Sequence, residues 1–268
     1  MSVSVKVVSR LLAITAAALL VVACESTFDV SSNDQTWGFI QTGALAAAGG
    51  TYATSPTGQF FRGNLMSIPD ARVKPDTCSE PLQILQQGPL QVTFLDAGSA
   101  ITTQFGTRVD TIPRVSASSR TTYESSTPKS FRPGDSLIVR IPGALGGFPT
   151  AEIRAKTAEA FTFDTLVIRP SPAPLQLRWT PATDNNSAML AEFRYSSIGS
   201  TTPNFVIRCA FVDDGADSVA FPKIQTWVGQ NANARTVTYT RLRTSIVQIV
   251  NGFLEVISTF AVPTPPAP

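Results

Sequence analysis

Short apolar runs separated by turn residues recur along the chain after residue 35, and they constrain the fold more than any other feature. The runs at residues 136–141, 151–156 and 205–212 are typical. In residues 175–179 apolar and polar residues alternate, which places every second side chain on one face of a strand. Runs of this kind, punctuated by Gly and Pro, predict an all-β fold of one or two antiparallel β-sandwiches.

The clearest hairpin signal lies near the C-terminus. Two apolar runs, residues 246–250 and 253–260, flank the dipeptide Asn251-Gly252. Asn-Gly suits a type I′ turn, in which both central residues have positive φ. The sequence therefore predicts a hairpin that turns at Asn251-Gly252.

The first 23 residues have the parts of an export signal. Lys6 and Arg10 form a positive segment, and residues 11–22 form an uncharged apolar run that is too short for a comfortable membrane span. The next residues, Val21-Val22-Ala23-Cys24, resemble the lipobox of bacterial lipoproteins. That resemblance implies cleavage before Cys24 and acylation of its thiol, which would anchor the chain to the cell membrane or outer membrane, facing the periplasm or the cell exterior.

Several boundaries follow from composition. Residues 25–35 are polar and are typical of a tether, while three prolines within residues 170–174 indicate a semi-rigid linker. The prediction is therefore a set of six segments: signal peptide 1–23, tether 24–35, N-terminal β-rich domain 36–169, linker 170–174, C-terminal sandwich 175–262 and disordered Pro-rich tail 263–268.

The C-terminal segment resembles the immunoglobulin-like sandwiches of bacterial envelope proteins. Trp179 lies on an early strand, Cys209 lies on a later one, and Asp213-Asp214-Gly215 forms a turn signal. The resemblance implies a two-sheet module and implies no activity.

Charge and cysteine content restrict the partners and the compartment. The chain has 21 basic and 19 acidic residues, and the signal contains Lys6 and Arg10 but no acid, so the mature chain has no formal net charge. A nucleic-acid partner is therefore not expected. Besides Cys24 only Cys78 and Cys209 remain. In an exported protein they can form one disulfide, although Cys209 also suits a buried free thiol.

The chain contains no histidine, which excludes His-dependent triads, His-containing zinc sites and imidazole acid–base chemistry. Ser99 follows Asp96-Ala97-Gly98, but it has no nucleophile-elbow motif around it. A Ser–Lys pair stays formally open, with the mature lysines as its partners: Lys74, Lys129, Lys156 and Lys223. No cofactor motif is present either, so the chain is not expected to be an enzyme or to hold a cofactor.

Oxygen-rich turns offer only weak metal candidates. Asp213, Asp214 and Asp217 form the most acidic cluster, and Asp184-Asn185-Asn186 forms a second one. Calcium prefers six to eight oxygen ligands, but tight turns use the same residues for their own hydrogen bonds. Since EF-hand spacing is missing, the prediction is turns and no metal.

Two other features invite a binding interpretation. The glycine-rich residues 143–148 predict either a plain turn or a solvent-facing loop from which Phe148 protrudes. Among the tryptophans, Trp179 is predicted in the core, whereas Trp227 is the candidate for exposure. The leading hypothesis is a non-enzymatic binding or structural module of the envelope, with an envelope protein or polysaccharide as partner. The alternatives are a carbohydrate- or polymer-binding module and a His-independent hydrolase or lyase.

Overall fold

The computed structural model describes residues 35–47, 50–63, 76–79, 82–83, 92–117, 120–164, 171–184, 186–196, 202–230 and 234–264. The signal peptide 1–23, Cys24 and most of the tether lie outside the described residues. The described elements are eighteen strands and one helix. Their bounds are β1 Thr36–Leu45, β2 Tyr52–Thr54, β3 Thr57–Arg62, β4 Thr77–Cys78, β5 Leu82–Gln83, β6 Thr93–Phe94, β7 Ala100–Phe105, β8 Arg108–Ala117, β9 Arg120–Glu124, β10 Lys129–Phe131, β11 Ser136–Ile141, β12 Ala151–Lys156, β13 Leu175–Arg178, β14 Ser187–Tyr195, β15 Phe205–Val212, β16 Ala216–Val219, α1 Phe221–Val228, β17 Arg235–Ile249 and β18 Gly252–Thr264.

The all-β prediction is confirmed, and most strands join one large sheet. Its order is β12-β11-β7-β8-β9-β3-β1-β18-β17-β14-β15-β4, with β6 added to β3 and β5 added to β15. Two small antiparallel sheets, β2–β10 and β13–β16, complete the described strands. Within the large sheet one pairing differs from the expected antiparallel pattern, because β1 and β18 run parallel from Thr36–Gly252 to Leu45–Ala261.

Three long strands connect two hydrophobic cores. β1, β17 and β18 have 10, 15 and 13 residues, longer than the usual five or six. β1 contributes Ile40 to the first core and Ala44 to the second, and β18 contributes Val256 to the first and Phe260 to the second. Each core therefore occupies a different half of the same strands.

The two cores draw on both sides of the predicted linker 170–174. The first core contains Leu254 and Val256 beside Phe60 and Ile101, and the second contains Phe161 beside residues of β13–β17. The described parts of residues 36–169 and 175–262 thus build both cores together. Residues Asn33–Pro268 form one compact unit.

The C-terminal hairpin forms as predicted, but its turn is displaced by one residue. Ile249 pairs with Gly252, so Val250 and Asn251 are the two turn residues. Asn251 has φ 57°, whereas Val250 is not in the positive-φ region, and the turn is therefore not type I′. Gly252 belongs to β18, where a Cβ would lie 1.8 Å from the carbonyl oxygen of Thr36.

We expect Gly252→Ala to lower the free energy of unfolding by about 1–3 kcal/mol, the usual cost of overpacking. The added methyl would separate β1 from β18 because its nearest neighbour is backbone rather than a movable side chain. Gly229→Ala is the control, since its Cβ would lie 3.4 Å from the nearest atom and φ is −70°. Urea titration of both variants measures the difference, and equal midpoints would contradict the close-approach argument.

The Pro-rich tail begins later than predicted. The sequence predicts that residues 263–268 do not pair, but Pro263 and Thr264 continue β18 opposite Thr238 and Val237. β1 ends at Leu45 opposite Ala261, so this end of β18 has a strand on one side only. Proline is tolerated there because its missing N–H is not needed on the open side. Residues 265–268 lie outside the described part.

Candidate functional site

Charged side chains converge where the two cores meet, on the inward face of β17. Alternation along this strand places Val237, Tyr239, Arg241 and Arg243 on one face, and all four are buried. In the sequence, the alternation from Arg235 to Leu242 already places Arg241 on the same side as two apolar residues, an unusual position for a charge. Buried charges need partners, and the structure provides them from the turns at Asp184 and Asp213.

Arg241 and Asp213 form a fully buried ion pair. The guanidinium donates from Nε to Oδ2 at 2.6 Å and from Nη2 to Oδ1 at 2.9 Å. The carboxylate also accepts hydrogen bonds from Trp179 Nε1 at 2.8 Å and from Ser187 Oγ at 2.8 Å. Both carboxylate oxygens therefore have two donors each, which offsets the cost of removing the charge from water.

The other side of Arg241 is also occupied. Its Nη2 donates to the carbonyl of Thr180 at 2.5 Å, and its Nη1 donates to the carbonyl of Ala160 at 3.3 Å. The guanidinium carbon lies 5.1 Å from the centre of the Phe161 ring. Arg241 thus links the turn at Asp213 to two separate loop segments.

The acidic turn that supplied the metal candidates is built differently from a metal site. Asp213 is committed to Arg241, Asp214 accepts a hydrogen bond from the Ala216 N–H at 3.4 Å, and Asp217 accepts one from Ser218 at 2.5 Å. Burial raises the pKa of Asp217, and the nearby Asp76 raises it further. Among the described residues no group of three or more His, Cys, Asp or Glu is placed to hold a metal ion.

A second group of charges reaches the surface beside this buried pair, and we call Lys156, Glu159, Asp184 and Arg243 the ion cluster. Lys156 Nζ lies 2.8 Å from Glu159 Oε1 and 3.4 Å from Asp184 Oδ2. Arg243 binds Asp184 through two hydrogen bonds of 2.8 and 2.9 Å. The backbone N–H of Thr183 donates to Glu159 Oε2 at 3.0 Å.

Electrostatics in the ion cluster favour the charged forms. The hydrogen bonds from Arg243 hold the pKa of Asp184 well below its ordinary value. Burial by itself raises the pKa of Glu159, but hydrogen bonds from Lys156 and Thr183 outweigh it and lower the pKa to about 2. The hydrogen bond to Glu159 raises the pKa of Lys156. A general base or a nucleophilic lysine needs shifts in the opposite directions, so the geometry favours ion pairing over proton transfer.

We expect acid to destabilise the fold through Glu159. Its pKa in the folded chain is about 2 against an ordinary 4.5, so its stabilising contribution is complete above pH 4.5 and is lost as the pH falls towards 2. Urea unfolding at pH 7, 4 and 3 should show a smaller pH dependence for Glu159→Gln than for the wild-type protein. Glu152→Gln, in the exposed pair with Arg140, serves as the control. Identical pH dependence in all three proteins would contradict this role of Glu159.

The segment that precedes the serine candidate Ser99 is held in place by hydrogen bonds to the Tyr123 hydroxyl. The Tyr123 hydroxyl lies 2.8 Å from the carbonyl of Gly98 and 3.0 Å from Asp96 Oδ1, and it accepts a hydrogen bond from the Ala97 N–H at 2.8 Å. Asp96 also pairs with Arg114. Burial raises the pKa of Tyr123 to about 12. None of the described contacts of Lys129 or Lys156 involves Ser99, and Lys74 lies outside the described part.

The tryptophans differ in environment. Trp179 is buried as predicted, but the prediction of exposure is wrong for Trp227, which is fully buried. Trp227 lies on α1, a helix that the sequence analysis did not predict, and its indole N–H donates to the carbonyls of Arg194 and Thr236 at 3.1 and 3.2 Å. The guanidinium of Arg235 lies 4.9 Å from its ring.

Trp37 belongs to a row of aromatic rings on the sheet face opposite the first core. Its ring centre lies 5.2 Å from that of Phe253 and 6.3 Å from that of Phe39, and Phe39 lies 5.5 Å from Phe61. Trp37 and Phe253 are half-buried. The Trp37 indole nitrogen is buried and has no acceptor within the described structure. Sequence reasoning missed this row because its members are distant in the chain.

Of the two interpretations of the glycine-rich residues 143–148, the structure fits the turn between two strands and not the loop with a protruding Phe148. Phe148 does not protrude but is fully buried, 4.5 Å from the ring centre of Phe60. Leu145 is fully exposed instead. Phe148 can enter the core because Gly38 leaves room: a Cβ there would lie 2.7 Å from the Phe148 ring.

Cys78 and Cys209 are joined by a disulfide bond. They face each other on β4 and β15, so the bond attaches the short strand β4 to the main sheet. A sequence separation of 131 residues explains why local patterns left the pairing undecided.

No protein-family model matches the chain, and no curated protein is significantly similar to it. The described helix α1 has eight residues, and no helix in the described part is long and apolar enough to cross a membrane.

Proposed function

We propose that this protein is a membrane-anchored extracytoplasmic lipoprotein that acts as a non-enzymatic binding or structural module of the cell envelope. The observation that carries the proposal is the lipobox-like Val21-Val22-Ala23-Cys24 directly after an apolar segment. Acyl chains on Cys24 would provide the anchor, since two or more chains give stable membrane binding.

Two structural features support an exported binding or scaffold role. The Cys78–Cys209 disulfide suits an oxidising compartment, where such bonds persist. The buried and half-buried charges pair with one another at Arg241–Asp213 and in the ion cluster, an arrangement that suits ion pairing better than proton transfer. Both the disulfide and the ion pairs form within the chain itself and need no bound ligand.

Mass spectrometry of the mature N-terminal peptide tests the anchor. The expected result is a peptide that begins at Cys24 and carries the mass of the added lipid. Cys24→Ser should move the protein from the membrane fraction to the soluble fraction. A free thiol at Cys24, or an uncut signal, would overturn the proposal.

A pull-down from detergent-solubilised envelopes tests the binding role. The acylated wild-type protein serves as bait, and an unrelated acylated protein controls for adhesion through lipid. A reproducible partner that the control does not retain supports a binding module. Failure to retain any partner in repeated experiments counts against it and leaves the structural role.

A carbohydrate- or polymer-binding module is the second candidate, and the aromatic row gives it a specific basis. Half-buried Trp37 and Phe253 lie side by side on one sheet face, and rings in this arrangement can stack on sugars. Affinity electrophoresis in gels containing envelope polysaccharide tests the idea. Trp37→Ala should abolish any retardation, whereas Phe205→Ala, which removes a half-buried ring on β15, should not. Equal mobility with and without polysaccharide would eliminate this candidate.

A further inference from the structure

Two uncharged segments end in exposed aliphatic side chains. Residues 141–151 and 244–254 contain no Asp, Glu, Lys or Arg, and each forms a connection between neighbouring strands. Leu145 is fully exposed in the first, and Val250 is 76% exposed in the second. Ile246 is also exposed, but it lies opposite Glu255 and is left aside. We call Leu145 and Val250 the apolar tips. Single exposed aliphatic residues are common, so their placement in the fold decides their meaning.

Both segments adjoin the first residues of β1. The Thr36 N–H donates to the carbonyl of Asn251 at 2.9 Å, which places the start of β1 directly beside Val250. Phe148 follows Leu145 by three positions and packs over Gly38, the third residue of β1. The loop that presents Leu145 is held there by backbone hydrogen bonds, among them one of 2.7 Å from the Phe148 N–H to the carbonyl of Asp96.

The start of β1 is also where the tether joins the folded body. Cys24 precedes Gln35 by eleven residues. A chain of that length spans at most about 40 Å. Acyl chains on Cys24 would therefore keep this end of the body close to the bilayer.

We propose that the apolar tips Leu145 and Val250 insert into the lipid surface that holds the anchor and so fix the orientation of the body. The inference rests on the proposed acylation of Cys24. Its physical basis is the gain from removing aliphatic side chains from water without burying a charge.

The local structure suits such contact. Gly143 and Gly146 have φ of 81° and 72°. In the turn that they form, the Leu145 side chain faces solvent and the Phe148 side chain lies in the core. Trp37, half-buried at the same end of β1, belongs to a residue type that is enriched at the membrane interface. Val109 provides a contrast: it is also exposed, but it lies near the β7–β8 turn between Arg108 and Asp110.

Site-specific fluorescence tests the insertion in the acylated protein. Because Cys24 would carry lipid and Cys78 is bonded to Cys209, an introduced cysteine would be the single free thiol. An environment-sensitive dye is attached in turn to Leu145→Cys, Val250→Cys and the control Val109→Cys. The proteins are reconstituted in phosphatidylethanolamine–phosphatidylglycerol vesicles. Dyes at 145 and 250 should shift to the blue and be quenched by brominated acyl chains, and the dye at 109 should do neither.

A second experiment separates the apolar tips from the anchor. The mature chain with Cys24→Ser has no acyl chain, so its sedimentation with the same vesicles measures the folded body alone. Leu145→Asp with Val250→Asp should weaken that partitioning about tenfold or more, because two aliphatic side chains no longer enter the lipid. Val109→Asp should leave it unchanged.

Dyes at 145 and 250 that behave like the dye at 109 would overturn the insertion, and so would partitioning that is insensitive to the two aspartates. An unacylated Cys24 in the wild-type protein would overturn the anchor instead. In that case the Cys24→Ser partitioning still decides whether the apolar tips bind lipid.

Discussion

Replacing Asp213 with alanine is expected to lower the free energy of unfolding by about 3–5 kcal/mol, the cost of leaving a buried charge without its partner. Arg241 and Asp213 are 1% and 0% exposed, so water cannot replace the lost carboxylate. The substitution also removes the acceptor of Trp179 Nε1 and Ser187 Oγ. Urea unfolding followed by tryptophan fluorescence measures the loss.

Glu152→Ala is the matched control for this prediction. It breaks an ion pair with Arg140 of similar length, 2.8 Å, in which both side chains are 43% exposed. Exposed pairs contribute at most about 1 kcal/mol, because water and salt screen them. A loss for Asp213→Ala no larger than that for Glu152→Ala would show that Asp213 is not a central support of the fold.

Removing the Cys78–Cys209 bond is expected to cost about 2–5 kcal/mol, towards the upper end because it closes a loop with a separation of 131 residues. Without the bond, the unfolded chain gains the freedom to separate those residues. In the folded chain β4 would be held by its short pairing with β15. The double variant Cys78→Ala, Cys209→Ala should therefore unfold at a lower urea concentration.

Reduced wild-type protein is the companion measurement, because it loses the bond while keeping both sulfur atoms in place. The difference between the reduced protein and the double variant isolates the packing of Cys209, which is 1% exposed. Reductant should not alter the double variant. Equal stability of oxidised and reduced wild-type protein would refute the expected contribution of the bond.

The ion pair and the disulfide both lie in the folded part that the proposed anchor would hold at the membrane. The Arg241–Asp213 pair joins turns where the two cores meet, and the Cys78–Cys209 bond attaches the edge strand β4 to β15.

Local patterns predicted the strands well. The sequence-based bounds of β11, β12 and β15 agree with the structure, and the hairpin of β17 and β18 forms around Asn251. Alternation also placed Leu175, Leu177 and Trp179 on a buried face. These features depend on residues next to one another in the chain, which is the range that propensity and periodicity describe.

The errors have physical causes beyond that range. α1 was missed because its eight residues carry Pro222 and three β-branched residues among few strong helix formers, and Trp227 anchors it only through tertiary contacts. The turn at Asn251 shifted because Gly252 is needed where β18 passes the backbone of Thr36. Phe148 is buried because Gly38, far away in the sequence, leaves space for its ring.

The sequence by itself determined the all-β class, the positions of strands such as β11, β12 and β15, the absence of histidine chemistry and the proposed anchor at Cys24. Only the tertiary structure decided which strands are neighbours, including the parallel contact of β1 with β18, and which charges meet in the interior. The physical reason is that strand order and burial arise from contacts between residues far apart in the chain, such as Thr36 with Gly252 and Cys78 with Cys209. Alternation shows that Arg241 faces inwards, but only the fold brings it to Asp213.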